Sequence, residues 1–269
     1  MVVIALFLIA IPFVFVLAAI GVPVTKTSAT TIESSPGLGV AAILYFAVFC
    51  YIGVRMVMSA PVATAEPVGP IATLRRSWDL TAGHWWKLFG FLALAGLIYG
   101  VGNYLFVMAF KWLLLGRYRK RAAPMWTPFV WLSEGVTNMY EGIAVPNFMR
   151  YLRGTPWLPL AFNLLGAKIG RGVYLDTTDI TEFDCVTIGD YSELNAFACP
   201  QTHLFEDRVM KIDHVEIGSK VYLGPRSAVL YSAKVGDNAR LGALTLVMKG
   251  EHIPAGTSWA GCPAAPARA

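Results

Sequence analysis

Charge is scarce in this chain and absent at its start: 14% of the 269 residues are Asp, Glu, Lys or Arg, and residues 1–23 contain none. Such a run excludes a solvated N-terminal domain. At about 1.5 Å per helical residue it is long enough to cross a ~30 Å hydrocarbon core. A cleaved signal peptide is the alternative, but the basic leading segment it requires is missing, and no clear small-x-small site precedes Lys26. Cysteine is scarce too. Cys50, Cys185, Cys199 and Cys262 show no C-x-x-C spacing, which excludes a zinc ribbon, offers no disulfide framework and fits a reducing compartment. The four histidines are equally scattered, so no metal site is expected. No basic aromatic platform exists in the C-terminal part, so nucleic acid is not an expected partner.

What is present is apolar and unevenly placed. Hydrophobic residues make up 56% of the chain. Residues 1–165 carry 12 Lys/Arg and 5 Asp/Glu, whereas residues 166–269 carry 10 and 12. The basic excess therefore belongs to the apolar half, where anionic lipid headgroups are its natural partner. Three organisational blocks follow. Residues 1–116 read as a transmembrane region with spans over 1–23, 37–58 and 88–115 and an amphipathic interfacial helix over 71–87. Residues 117–165 read as an interfacial connector of two or three short helices, rich in Trp, Tyr and Pro. The cluster Arg117, Arg119, Lys120, Arg121 after the third span places that end in the cytoplasm. The expectation is a multi-pass protein of the cell membrane with its C-terminal part cytoplasmic.

Residues 166–269 carry a different signal, a period of six. Ile217, Leu223, Val229, Val235, Leu241 and Val247 are all aliphatic, and Gly218, Gly224, Gly236 and Gly242 follow four of them. Val221, Ser227, Ala233, Ala239 and Thr245, four places after the first five of the aliphatic residues, are small or β-branched. A helix repeats near 3.6 residues and a flat strand near two. A six-residue beat fits a chain that turns a corner every six residues, three short strands to a coil, with the aliphatic residue inward and glycine easing the corner. Earlier hexads stand at Ile169-Gly170, Leu175-Asp176, Ile188-Gly189 and Leu194-Asn195. Phase is lost from Thr177 to Thr187 and from Cys199 to His214, so a loop is expected at each. The tail from Lys249 to Ala264 leaves the period and is expected to cap the core.

Such a prism resembles the hexapeptide-repeat acyltransferases. That resemblance implies an all-β left-handed parallel β-helix following the α-helical membrane region, assembly as a homotrimer, and a catalytic histidine on an extruded loop. Gln201-Thr202-His203 stands at the start of the second loop. An amine or hydroxyl that attacks a thioester must lose a proton, and an imidazole can take it at neutral pH. His203 is thus the candidate general base, with Gln201, Glu206 and Asp207 beside it in sequence to contact substrate or orient the ring. Asp176, Asp179, Glu182 and Asp184 form an acidic run in the first loop; beside His203 they would hold a cationic amine acceptor. The alternative is a solvated corner loop. Arg226, Lys234 and Arg240, in successive hexads, are the candidates for the phosphates of an acyl-CoA donor, and are equally explained as solvated charges.

Two further resemblances meet near Gly100. The segment RMVMSAPVATAEPVGPIATLRRSWDLTAGHWWKLFGF is similar to a membrane-domain family of unknown function. The runs KWLLLGRYRKRAAPMWTPFVW, RGTPWLPLAFNLLGAKIGRGVYLDTTDITEFD, QTHLFEDRVMK and VMKGEHIPAG resemble the C-terminal membrane region of non-ribosomal peptide synthetases that make homopolymers of basic amino acids. Neither an adenylation domain nor a phosphopantetheine-serine carrier motif is present. The resemblance implies transfer of an acyl or aminoacyl group, from acyl-CoA or a carrier-bound phosphopantetheine thioester, with a carrier protein or peptide synthetase as partner. The alternative is a non-catalytic membrane scaffold or docking module.

Overall fold

The computed structural model describes residues 36–267, with side chains from residue 43 onward; the expected span over 1–23 and the loop after it lie outside the described residues. The chain falls into two compact units, residues 1–95 and 96–269.

In the first unit, α1 (Pro36–Met56) is followed by α2 (Ser59–Ala65), α3 (Pro70–Leu80) and the first turns of α4 (Trp85–Leu114). The amphipathic stretch ends at Leu80 rather than residue 87. Gly83 at φ +72° turns the chain, and Trp85 and Trp86 belong to the next helix. Buried Arg55 ties α3 to α1: its carbonyl accepts a hydrogen bond from Ser77 Oγ (2.8 Å), and its guanidinium lies 4.4 Å from the Trp78 ring centre. Two stretches, Ile43–Ala65 and Trp85–Leu114, are long and apolar enough to cross a membrane. Phe46, Phe91, Ile98 and Leu113 on them are exposed.

The second unit is a three-sided stack of parallel strands. One face holds β2 (Lys168–Ile169), β4 (Val186–Ile188), β9 (Val215–Ile217), β12 (Lys234–Val235) and β15 (His252–Ile253). The next holds β3 (Tyr174–Leu175), β5 (Glu193–Leu194), β10 (Tyr222–Leu223), β13 (Arg240–Leu241) and β16 (Ser258–Ala260), closed by antiparallel β17 (Ala265–Pro266). The third holds β6 (Cys199–Gln201), β11 (Ala228–Leu230) and β14 (Leu246–Val247). Eighteen residues close a coil, so Ile217 aligns with Val235, and Leu223 with Leu241. All six aliphatic ladder residues are buried, as are the five small residues four places after them. Each large ladder residue contributes roughly 1.5–3 kcal/mol through the apolar area it removes from water.

Two details of the expected prism change. The hexad glycines are not the residues that bend the chain: Lys220, Arg226, Ser232, Asn238 and Leu244, two positions later, take the left-handed conformation at φ 56–62°. Gly218, Gly224 and Gly236 are needed for room. A Cβ on Gly224 would stand 2.6 Å from the Ala243 nitrogen of the next coil. The period also outlasts Val247, because Ile253 and Trp259 continue it in β15 and β16. Only the segment from Gly261 onward leaves the coil.

The connector packs on the first coil. α5 (Pro128–Met139) runs on through a π turn (Tyr140–Ala144), and α6 (Trp157–Leu165) ends at Gly166, φ +117°. Tyr140, Ala144, Met149, Leu158, Phe162 and Leu165 join Ile169, Leu175 and Ile188 in one core. Trp126, Trp131, Tyr151 and Trp157 remain exposed, so the connector has a buried coil-facing side as well as an aromatic outer one. Tyr104, Val107 and Lys111 of α4 are buried in this unit. The division accordingly falls within that helix and not at residue 116.

Candidate functional site

The two breaks in the period are neighbours in space. The first replaces the third strand of the first coil: after β3 the chain runs through residues 176–185 and re-enters at β4. The second leaves after β6 as a hairpin, β7 (His203–Glu206) and β8 (Val209–Ile212), whose turn residues Asp207 and Arg208 both have positive φ. A strand from the connector, β1 (Arg121–Pro124), pairs antiparallel with β8 from Arg121↔Ile212 to Pro124↔Val209. Arg121–Pro124 was expected to be part of a helical connector. It is a strand because the outer edge of the hairpin supplies unpaired backbone groups for it to satisfy.

His203, at the first position of β7, faces the first loop. Its Nδ1 lies 2.7 Å from Glu182 Oε2, and the two side chains are 14% and 0% exposed. The same oxygen accepts from Thr181 Oγ1 at 2.9 Å and Thr202 Oγ1 at 2.6 Å. Glu182 Oε1 is buried without a hydrogen-bond partner among the described residues. Glu182 holds a left-handed backbone, φ 40°, at the start of a short 3-10 turn over Phe183–Cys185. Its loop is braced from the connector side: Tyr140 Oη donates to the Thr178 carbonyl at 2.7 Å, and Tyr140 packs edge-on against Phe183 at 5.1 Å. Lys111 Nζ meets Asp184 Oδ2 at 2.6 Å, and the Tyr118 amide donates to that oxygen at 3.1 Å.

A carboxylate on Nδ1 fixes the imidazole tautomer: Nδ1 carries the proton, and Nε2 presents its lone pair. No described residue bonds to Nε2. Burial pulls the His203 pKa down, but the hydrogen bond and charge of Glu182, together with the charge of Glu134, outweigh it, so the ring titrates above the ordinary histidine value. Glu134 on α5 is raised by burial, lowered by His203 and raised by Glu182, with a net upward shift. Its Oε1 is buried and unpartnered among the described residues. Burial pushes the Cys199 thiol up to about 12, which removes it as a thiolate nucleophile at neutral pH.

The other expected residues scatter. Gln201 braces the hairpin through Nε2 to the His203 carbonyl (2.9 Å). Glu206 and Asp207 do not orient His203. Glu206 pairs with Lys211 (2.8 Å) and Lys249 (2.6 Å), Asp207 sits in the turn, and Glu182 holds the ring. The acidic run is not one surface: Asp176 pairs with Arg153 (2.9 Å), Asp184 with Lys111, and Asp179 has its pKa raised by burial. Arg226, Lys234 and Arg240 do not line one groove. Lys234 lies on the β12 face paired to Glu216, Arg240 lies on the β13 face over Tyr222, and Arg226 turns a corner toward Phe197. Successive hexads occupy successive faces, so a six-residue step moves a charge around the prism. Of the remaining histidines, His214 and His252 are exposed on or beside the coil. Thr202 is named in sequence only as the middle of Gln201-Thr202-His203, with no role, and nothing local marks Glu134.

No protein-family model matches the chain. Over 175 residues, 65% of its length, it is 61% identical to Delta-poly-L-ornithine synthetase of Acinetobacter baumannii (strain AB307-0294), and it spans 13% of that protein. Similar solved structures include a galactoside acetyltransferase in complex with coenzyme A, at TM-score 0.36 and 17% identity, covering 50% of this chain and 78% of that one. A hexapeptide-repeat-containing acetyltransferase from Vibrio cholerae gives TM-score 0.34 and 15% identity over 42% of this chain and 79% of that one. Soybean serine acetyltransferase gives 0.32 and 17%, over 87% and 91%.

Proposed function

We propose that this chain is a membrane-held acyl- or aminoacyltransferase in which His203 is the general base. The observation that carries the proposal is the Glu182–His203 contact at 2.7 Å, with Nε2 left free of protein partners. As an amine nitrogen attacks the thioester carbonyl carbon, Nε2 takes the proton that the nitrogen sheds. Glu182 stabilises the resulting imidazolium. Collapse of the tetrahedral adduct breaks the C–S bond, and the imidazolium returns its proton to the departing thiolate, so the ring ends as it began. The thiols of Cys185 and Cys199, both pushed up to about 12 by burial, favour this direct transfer over a cysteine-bound intermediate.

The 61% identity to part of a protein named for ornithine polymer supports an amino acid with a second amine as acceptor and an aminoacyl thioester as donor. Acyl-CoA and a carrier-bound phosphopantetheine are the two donor classes. Because Arg226, Lys234 and Arg240 do not gather on one face, the donor arm requires further surface, and a neighbouring copy in a homotrimer would provide it. The two long apolar helices support anchoring in the membrane, and the basic residues after α4 support a cytoplasmic site.

The test is turnover of aminoacyl and acyl thioesters with diamine acceptors by the full chain in detergent. His203→Ala should lower kcat by about 10²–10⁴. Equal turnover by wild type and variant would remove His203 as the base, and no turnover by either would leave a scaffold role instead.

A further inference from the structure

We infer that the loop closing α4 forms a binding site for an anionic phospholipid headgroup. Beneath Arg117, Arg119, Lys120 and Arg121 lies a cavity of about 580 Å³ whose other walls are Leu114, Leu115, Phe129 and Leu132. No carboxylate lines it. Two of the cations are already committed: Lys120 Nζ holds Asp213 at 2.7 Å, and the Arg121 guanidinium lies 4.3 Å from the Phe129 ring centre. Arg117 and Arg119 are exposed and have no ion-pair partner among the described residues.

The wall chemistry selects the occupant. Inorganic phosphate gains nothing from three leucines and a phenylalanine. A phosphodiester joined to acyl chains satisfies both halves, its phosphate against the guanidinium forks and its first methylenes on Leu114, Leu115 and Leu132. The location agrees, because the cavity opens where the 30-residue apolar helix Trp85–Leu114 ends, the depth at which headgroups meet a spanning segment. This site rests on the membrane-held half of the proposed function and not on the transfer chemistry.

The experiment is native mass spectrometry of the full chain released from neutral detergent mixed with phosphatidylglycerol or phosphatidylcholine. Turnover with a soluble donor is measured in parallel, so that loss of lipid binding and loss of transfer are seen separately. Phosphatidylglycerol should be retained in preference to phosphatidylcholine, and the preference should weaken with added salt. Arg117→Gln with Arg119→Gln should weaken phosphatidylglycerol retention by about 25-fold, near five-fold per cation, and the paired Arg→Lys changes should keep most of it. If the double variant does not fold, Arg119→Gln alone should show the single five-fold step with a native unfolding midpoint. Equal retention of the two lipids, or unaltered retention by the Gln variants, would overturn the proposal. So would displacement of phosphatidylglycerol by inorganic phosphate beyond the weakening that sodium chloride of the same ionic strength causes, which would make the cavity a free-anion site.

Discussion

The coil after Val215 and the coil before it are built from the same hexad, yet they differ in what interrupts them. From β9 to β16 the beat is unbroken, the ladder is sealed, and every corner is a single left-handed residue. From β2 to β6 two loops break the beat, and they bring together Glu182, Thr202 and His203. Regularity stabilises the prism; the departure from regularity carries the buried carboxylate of Glu182. A buried carboxylate has no place on a sealed ladder, so it enters only where the chain leaves the repeat.

That contrast can be broken at either end. The largest effect should come from the interrupted half, where His203→Ala removes the proposed base while leaving the ladder intact, so activity falls far more steeply than the unfolding midpoint, which drops because buried Glu182 loses its partner. Asp184→Asn should come next, costing about 3–5 kcal/mol by leaving the Lys111 ammonium buried and uncompensated; replacing both partners by well-packed apolar residues should recover most of it. In the unbroken half, Leu223→Ala should cost about 2–5 kcal/mol in denaturant unfolding, with transfer per folded molecule retained. Glu182→Gln sharpens the difference instead. Because Glu182 raises the His203 pKa, its loss should move the rising limb of the pH–rate profile toward lower pH and reduce the plateau by about ten-fold or more. By the same linkage, the Glu182–His203 pair stabilises the fold fully below the unfolded histidine value and ceases to do so as pH climbs through the folded one. The smallest effect should be at a corner: Leu244→Gly, at φ +58° and exposed, should change stability by about 1 kcal/mol or less, since relieved backbone strain offsets added chain entropy.

The legible part of this molecule was the repeating part. Ile217 to Val247 announced their burial because a period of six has few physical explanations, and His203 stood out because a histidine at the mouth of a loop has a chemical use. The partner of that histidine was named for another role. Glu182 lies 21 residues from His203 in sequence, and only stacking of one coil on the next makes them neighbours. Glu134 is more distant still, on a helix whose packing against the site has no local signature. The glycines show a subtler miss: their spacing was visible, but their reason is the closeness of the adjacent coil at Ala243, not the bend. The three cations spaced through the hexads were scattered by the same winding that made the ladder predictable.

The pairing of β1 with β8 makes the hairpin a joint product of distant stretches of chain. Cut the polypeptide after residue 125 and the prism keeps every rung of its own, but β8, the strand paired to the one bearing the imidazole, loses one of its two neighbours. The hairpin therefore cannot be kept whole by trimming the chain to the repeats. Whatever sets residues 121–124 in place, including the seating of α4 that precedes them, also bears on the hairpin that carries His203.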